Sequence, residues 1–568
     1  MSVRVLAWAL ATWALFCAAA CWTVHRTFSL REDRAVPSVV VASVWERGEL
    51  VARAVLARAG DRNAKIDASL EAHPAATLVY ESVIAEGPVV TYPDAALALS
   101  FVAGRDGISA NLDGRTEYVT PDDLLARQAY DKEIQWPAVG FSAGVDLPVV
   151  WALLSDRFGV PVYDLARRVH LRRVRVVRTI PRAPPDLGGL GAPSDLAATG
   201  AAARVFTTAD VRKAAVAAGR FLARGVDEEG HFRYLIDAPT NRTVAGYDLP
   251  RHAGATYYLA QIAALSGDAQ LGSAALRAAG WLRDHATVDC GAARCIGSER
   301  VVDVGSTSLA VIAFVEIART KLDPSYALIV PALTAFLRDQ QRSNGDFMHE
   351  YDRETRRPID IQLVYYTGEA ALALSRAHAL LGDRRDVEAA TRALAYLVGP
   401  GWSFFGSRYY FGEEHWTCQA MDDLWDRSPN PAALDFCLRW HAFGRTVQYA
   451  AGDTPYDAEG AYGLGPLAPP HLTPAASRSE AALATLDVAR KAGVDEGELG
   501  PLEAQIRKSV AMLLRHQFTP GPSHLLADPA AVEGAVPASE VDWQLRIDFA
   551  QHTGGALIRW LQRSVASP

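Results

Sequence analysis

Residues 365–383 read YYTGEAALALSRAHALLGD, and residues 251–268 read RHAGATYYLAQIAALSGD. In both, aromatic or charged residues lead into a helical run rich in Ala and Leu that stops at Gly-Asp. Each run follows the same kind of segment: FLRDQQRSNGDFMHEYD at 336–352 and FLARGVDEEGHFRYLID at 221–237, a helix end, a Gly-containing turn and an extended stretch. LLRHQFTPGPSHLLAD (513–528) followed by QHTGGALIRWLQ (551–562) repeats the pattern near the C-terminus. Three looser copies lie between: WLRDHATVDCGAARC (281–295) with DVGSTSLAVIAFVEI (303–317), YLVGPGWSFFGSRYYFGEEHWTCQAMDDLW (396–425), and CLRWHAFGRTVQY (437–449) with SRSEAALATLDVAR (477–490). A hairpin of this kind cannot bury its apolar face alone and needs neighbours on both sides. Six copies predict a closed all-α ring, an (α/α)6 toroid over 205–565. Its small-residue-rich second helices form the crowded inner layer, and the loops entering them gather at one mouth.

Outward from the ring, PRAPPDLGGLGAPSDLAATGAAA (181–203) has no apolar period and is rich in Pro and Gly, so 181–204 is expected to be a linker. Before it, 36–180 is expected to form a small α+β domain. VVVASVW (39–45) is a strand by its β-branched content, turned by Arg47-Gly48. Leu50 to Ala59 and Ala64 to Ala72 are expected to be helical, Thr77 to Ala85 extended, and Gly107 to Val119 a hairpin about Asp113-Gly114. Leu147 to Phe158 is amphipathic, and Arg172 to Ile180 is a last strand. GRDGISANLDGRTEYVTPDDLL (104–125), followed by LLSDRFGV (153–160) and that strand, faintly resembles the AMMECR family. The family's Arg-Gly-Cys-Ile-Gly stretch has no counterpart here, so no site is carried over, and a structural or docking role is expected. At the N-terminus, Arg4 precedes an apolar run from Val5 to Val24, long enough to span a bilayer, and Ala18-Ala19-Ala20 fits a cleavage site. Residues 1–34 are therefore expected to be a signal peptide or membrane anchor, with the rest of the chain extracytoplasmic.

Half of the 568 residues are apolar, enough for a large core, and the net charge of -8 comes without a basic block. A nucleic-acid partner is thereby disfavoured, since it would call for a Lys/Arg stripe. Of the six cysteines, Cys17 and Cys21 belong to the N-terminal segment. Cys290 and Cys295 enclose a short loop and could pair in an oxidising compartment. Cys418 and Cys437 are expected to behave as small buried apolar residues.

Aligning the starts of the inner helices gives a column: His252, Asp303, Tyr366, His415, Arg478 and His552. A polar residue at a helix start is ordinarily a cap. His, Tyr and Arg cap poorly, however, and a whole column of polar residues is expected to converge on the ring axis as a cleft. His252, His415 and His552, with Glu414 and Glu480, are the candidate acid–base groups. Arg251, Tyr366, Glu369, Arg478, Asp548, Gln551 and Trp416 are the candidate substrate contacts, because carboxylates, guanidiniums and aromatic faces suit sugar hydroxyls and ring faces. The chemistry calls for no cofactor and no metal.

RHAG…YTGEAAL…EEHW…SRSEAAL…QHTGGAL resembles the six-hairpin glycosidase-like superfamily, which includes unsaturated glucuronyl hydrolases, N-acylglucosamine 2-epimerases and glucuronyl C5-epimerases. The resemblance implies a carbohydrate-active enzyme acting on a glycan or on a uronic-acid or amino-sugar substrate. In the epimerases histidines at the mouth move a proton next to a carbonyl, a role open here to His415 and His552. In the hydrolases a carboxylate acts, a role open to Glu414 or Glu480. Two alternatives remain: a zinc-dependent toroid enzyme using His415, Cys418 and His552, and a non-catalytic module binding a glycan of the cell envelope. Limited proteolysis is expected to cut first within 181–204, as read by N-terminal sequencing; a first cut inside 250–450 would count against a single ring.

Overall fold

In the computed structural model, residues 38–89, 101–130, 133–136, 139–142, 144–182, 206–297, 300–401, 415–454, 456–463, 469–518 and 524–566 are described. The N-terminal segment 1–34, residues 183–204 of the expected linker and Glu414 lie outside them, and the first two expected linker residues, Pro181 and Arg182, instead end a strand. Among the described residues no helix is long and apolar enough to cross a membrane.

The small domain is built on strands β1 (Val40–Glu46), β2 (Glu49–Leu56), β3 (Thr77–Pro88), β4 (Asp106–Leu112) and β5 (Arg115–Val119), with helix α1 (Ala64–Ala72) between β2 and β3. After β5 come α2 (Pro121–Leu125), the hairpin strands β6 (Glu133–Trp136) and β7 (Val139–Ser142), α3 (Leu147–Phe158), α4 (Val162–Arg168) and β8 (His170–Arg182). One antiparallel sheet runs in the order β2-β1-β3-β8-β4-β5. One expectation fails: Leu50 to Ala59 is strand β2 and its exit, not a helix. Arg47 and Gly48 both take left-handed backbone angles, φ 51° and 79°, so the chain doubles back tightly and β2 pairs with β1 from Val40–Leu56 to Glu46–Glu49. Strand pairing overrides the helical propensity of its alanines.

The ring alternates outer and inner helices. The outer layer is α5 (Thr208–Arg224), α7 (Ala269–Trp281), α9 (Val330–Gln340), α11 (Arg384–Val398), α13 (Pro431–Arg445) and α15 (Glu496–His516). The inner layer is α6 (Leu249–Ser266), α8 (Val304–Arg319), α10 (Tyr366–Leu381), α12 (His415–Trp425), α14 (Thr473–Lys491) and α16 (Ile547–Ala566). Each inner helix packs on the next, and α16 packs on both α6 and α5, so the ring is closed. The inner helices are buried nearly all round, α8 from Val304 to Ala318 without a break, as expected of helices surrounded by helices. Closure is reinforced at the mouth, where Leu235–Asp237 in the first loop pairs antiparallel with Gln544–Arg546 in the sixth. Trp560 meets Phe206 edge-on at 5.4 Å.

Both regular cysteine pairs are disulfides, each with Cα atoms 5.9 Å apart: Cys290–Cys295 within one loop and Cys418–Cys437 between α12 and α13. Cys418 and Cys437 are thus fully buried, as expected, but they are not free thiols.

The small domain and the ring share one continuous hydrophobic core, from Trp45, Val79 and Phe101 to Leu525 and Trp543. The domain sits on the loops that lead into α6, α14 and α16. A Cβ on Gly48 would lie 3.0 Å from both Ala527 N and Pro239 O, so only glycine lets the β1–β2 turn seat there. Gln128 accepts from Trp543 N (3.0 Å), and Tyr456 accepts from Ala103 N (3.3 Å). His524, fully buried, meets Asp122 at 2.6 Å, and Asp122 also pairs with Arg178.

Buried charges at this junction are largely matched. Burial alone would raise Asp123, but Arg53 (2.8 Å) and Arg157 (2.6 Å) hold it well below the usual carboxylate range. Glu81 is pushed up from 4.5 to about 8 by burial and by the nearby Asp122 carboxylate. Glu540 is likewise raised from 4.5 to about 8 by burial and then by Asp457. A carboxyl whose folded pKa is raised stabilises the fold fully below its unfolded value and loses that contribution as pH rises through the folded value. These two carboxyls therefore contribute a decline in stability between pH 4.5 and about 8. Thermal melts across this range should show a shallower decline in the Glu81→Gln/Glu540→Gln double variant; an unchanged slope would reject the assignment.

Candidate active site

Three inner helices bring His415, Glu480 and His552 together. His415 opens α12, Glu480 lies in the second turn of α14, and His552 in the second turn of α16. His552 Nδ1 lies 2.8 Å from Glu480 Oε2. The imidazoles of His415 and His552 stand 4.9 Å apart, nearly perpendicular. Trp416 packs 4.2 Å from His415 and 5.9 Å from His552, walling the pair with an aromatic face. Gln551 donates from Nε2 to Tyr257 Oη at 2.9 Å, behind His552. The space for this arrangement comes from small residues. A Cβ on Gly555 would fall 2.0 Å from Glu480 Oε1, and one on Gly254 would lie 3.1 Å from Gln551 Oε1.

A second arc lies at the starts of α6, α8, α10 and α16. Arg251 reaches Asp548 (3.3 Å), Asp248 (2.8 Å) and Tyr234 Oη (3.0 Å). Burial alone would raise Asp548, but its bond to Arg546 and the charges of Arg546 and Arg251 keep it low, and it also feels His552. Asp303 caps α8 by accepting from Ser306 N at 2.6 Å, and burial raises its carboxyl. Tyr366 bonds to Asp303, and burial followed by the Asp303 and Glu369 charges raises its phenol far above the usual range. Gly305 clears the space, since a Cβ there would lie 2.3 Å from Tyr366 and 2.7 Å from Glu369 Oε2.

Two expected members turn the other way. His252 is wholly buried against the outer layer: Nε2 lies 2.9 Å from Ala278 O, Nδ1 lies 2.6 Å from Tyr247 Oη, and Trp281 packs on the ring at 5.2 Å. Burial lowers its pKa to about 4, so it is neutral and structural at physiological pH. Arg478 is also buried, its guanidinium 4.7 Å over Tyr462 and 6.0 Å over Trp440 of α13. It stands two residues before Glu480, about 200° around the helix, so when Glu480 faces the axis Arg478 cannot. Of the other expected residues, Arg251, Tyr366, Glu369, Asp548, Gln551 and Trp416 lie in the two arcs, and Glu414 lies outside the described residues. The zinc set of His415, Cys418 and His552 is corrected, because Cys418 is held in a disulfide. Among the described residues His415, Glu480 and His552 themselves form the group whose ligand atoms, within 4.8 Å of one another, could hold a metal ion. Sequence reasoning passed over Asp248, although Asp ahead of Leu-Pro at a helix start signals a cap that also reaches Arg251.

No protein-family model and no curated protein matches this chain. Solved structures do. A D-mannose isomerase is similar at 14% identity and TM-score 0.48, over 63% of this chain and 97% of its own. A sugar epimerase from a ruminal bacterium is similar at 11% identity and TM-score 0.47, over 63% and 99%. An unsaturated glucuronyl hydrolase specific for heparin is similar at 12% identity and TM-score 0.45, over 63% and 99%. The toroid of this chain rests on its own closed set of helix contacts.

His252→Ala empties an aromatic pocket and strands two hydrogen-bond partners, and is expected to cost about 2–4 kcal/mol in denaturant unfolding. Loss of turnover in this variant without loss of stability would return His252 to the chemistry.

Proposed function

We propose that the protein is a carbohydrate-active enzyme working outside the cytoplasm, and that it moves a proton at a carbon next to a sugar carbonyl. The observation that carries this reading is the pair of imidazoles at the ring mouth, 4.9 Å apart on different helices, one of them held by Glu480 at 2.8 Å. An imidazole matches proton transfer near neutral pH, and a carboxylate on one nitrogen fixes the orientation of the ring. In the open-chain sugar one imidazole removes the proton on the carbon beside the carbonyl, and the electron pair moves into an enediolate. The other imidazole returns a proton, to the opposite face of the same carbon for epimerisation, or to the former carbonyl carbon for isomerisation, in which case the proton of the adjacent hydroxyl passes to the former carbonyl oxygen. Arg251, Tyr366, Glu369 and Asp548 offer donors and acceptors for hydroxyls, and Trp416 a flat face for the sugar ring. The similar solved structures, described as a D-mannose isomerase and a sugar epimerase, are in keeping with this reading.

A location outside the cytoplasm is supported by the two disulfides, since such bonds persist in oxidising compartments. The apolar run from Val5 to Val24, as signal peptide or membrane anchor, points the same way.

Incubation with a panel of reducing uronic acids, N-acetylhexosamines and neutral hexoses in D2O tests the chemistry. Proton transfer should place deuterium at the exchanged carbon, as read by mass spectrometry, and His415→Asn and His552→Asn should each abolish it. Cleavage of oligosaccharides of the same sugars, with one water taken up per glycosidic bond broken and no deuterium on carbon, would instead make the site a hydrolase.

A further inference from the structure

The ring has a second opening. Where the inner helices end, a cavity of about 420 Å³ runs up the axis from a rim that includes Arg319, Arg427 and Gln562 to Tyr257, Glu480 and Gly555. This size lies within the range of small-molecule pockets, about 300–1,000 Å³.

Its walls are ion pairs. Arg376 meets Asp423 at 2.9 Å and Glu316 at 3.5 Å, and Arg559 meets Asp422 at 2.9 Å and Gln419 Oε1 at 3.3 Å. Arginines at helix C-termini also offset the negative ends of the helix dipoles, and a plug of such pairs would close the ring. A plug, however, would leave neither space nor spare donors. Here the cavity remains, and Gln419, only 2% exposed, has an Nε2 with no hydrogen-bond partner among the described residues. Because its oxygen already accepts from Arg559, the nitrogen is fixed as a donor.

The charges that line the cavity balance: Arg319, Arg376, Arg427 and Arg559 against Glu316, Asp422, Asp423 and Glu480. A charged ligand would find no net opposite charge. A neutral ligand rich in hydroxyls would meet planar donors and acceptors already held in place by one another. Glu480 joins this cavity to the mouth. Its Oε2 faces His552, and its Oε1 lies against Gly555, which lines the cavity.

We propose that this axial cavity is a second binding site, for a small neutral polyhydroxylated ligand such as a free sugar or cyclic polyol, which touches the Glu480–His552 pair from behind. The binding does not depend on the mouth being catalytic. A hydroxyl donating to Glu480 Oε1 would weaken the carboxylate's hold on His552, so that occupancy of the far end is felt at the mouth.

Isothermal titration of the full chain with myo-inositol, which has no carbonyl to react, tests the site. Saturable binding is expected, weakened at least tenfold in Gln419→Leu and in the rim variant Arg427→Ala, and unchanged in His415→Asn. Arg427→Ala keeps the test open if Gln419→Leu misfolds. Absence of saturable binding, or binding lost in His415→Asn and kept in Arg427→Ala, would overturn the proposal. Neither result bears on deuterium exchange at the mouth, so the two readings fail separately.

Discussion

The structure depends on how closely its inner helices approach one another. Helices that line the axis of a ring have little room, and they fit because the faces they turn together carry Ala, Gly and Ser. The glycines are not passive fillers. A side chain on Gly554 would lie 1.9 Å from the Tyr258 ring, one on Gly555 would displace the Glu480 carboxylate, and one on Gly305 would displace Tyr366 and Glu369. Each missing side chain on one helix is the space in which a polar group of its neighbour stands. Close packing and the composition of the mouth are therefore one constraint: helices that came together on larger residues would bury no polar cluster at all.

The same closure makes the mouth loops structural. The sixth loop pairs with the first through short strands, and it also supplies His524 and Trp543 to the small domain. The small domain thus braces the approach to α16, the helix that carries His552. Its β1 strand is buried on both faces, by α1 on one side and by the shared core on the other, which accounts for an apolar run interrupted only by the buried Ser43. The charges beneath it are tolerated because they are matched. Asp122 and Asp123 each meet two basic partners, and a buried carboxylate without such partners would be protonated or expelled.

Two histidines in similar sequence settings illustrate how environment assigns roles. His252 and His552 both stand near the start of an inner helix. His252 has both nitrogens taken by protein groups and aromatic rings around it, so burial keeps it neutral. His552 is held by a carboxylate and stands edge-on to a second imidazole. The difference is one of direction, inward or outward from the axis, and not of residue type.

The six-hairpin ring was legible in the sequence because it is written in local terms: helical runs that end at Gly-Asp, Gly-containing turns, and second helices rich in small residues. The strands of the small domain's six-stranded sheet were legible for the same reason, except β2, whose alanines favour a helix until pairing with β1 decides otherwise; the β6–β7 hairpin was not read. His415, His552 and Glu480 could be proposed from their place in the repeat. Which members of the column face the axis could not, because a two-residue offset turns a side chain by about 200°, and diverged repeats do not fix alignment to that accuracy. The Cys418–Cys437 bridge, the outward turn of His252 and Arg478, and the docking of the small domain onto the mouth loops join residues that are distant along the chain. Only the packed ring brings such groups within bonding distance, since no local propensity of either partner encodes the meeting.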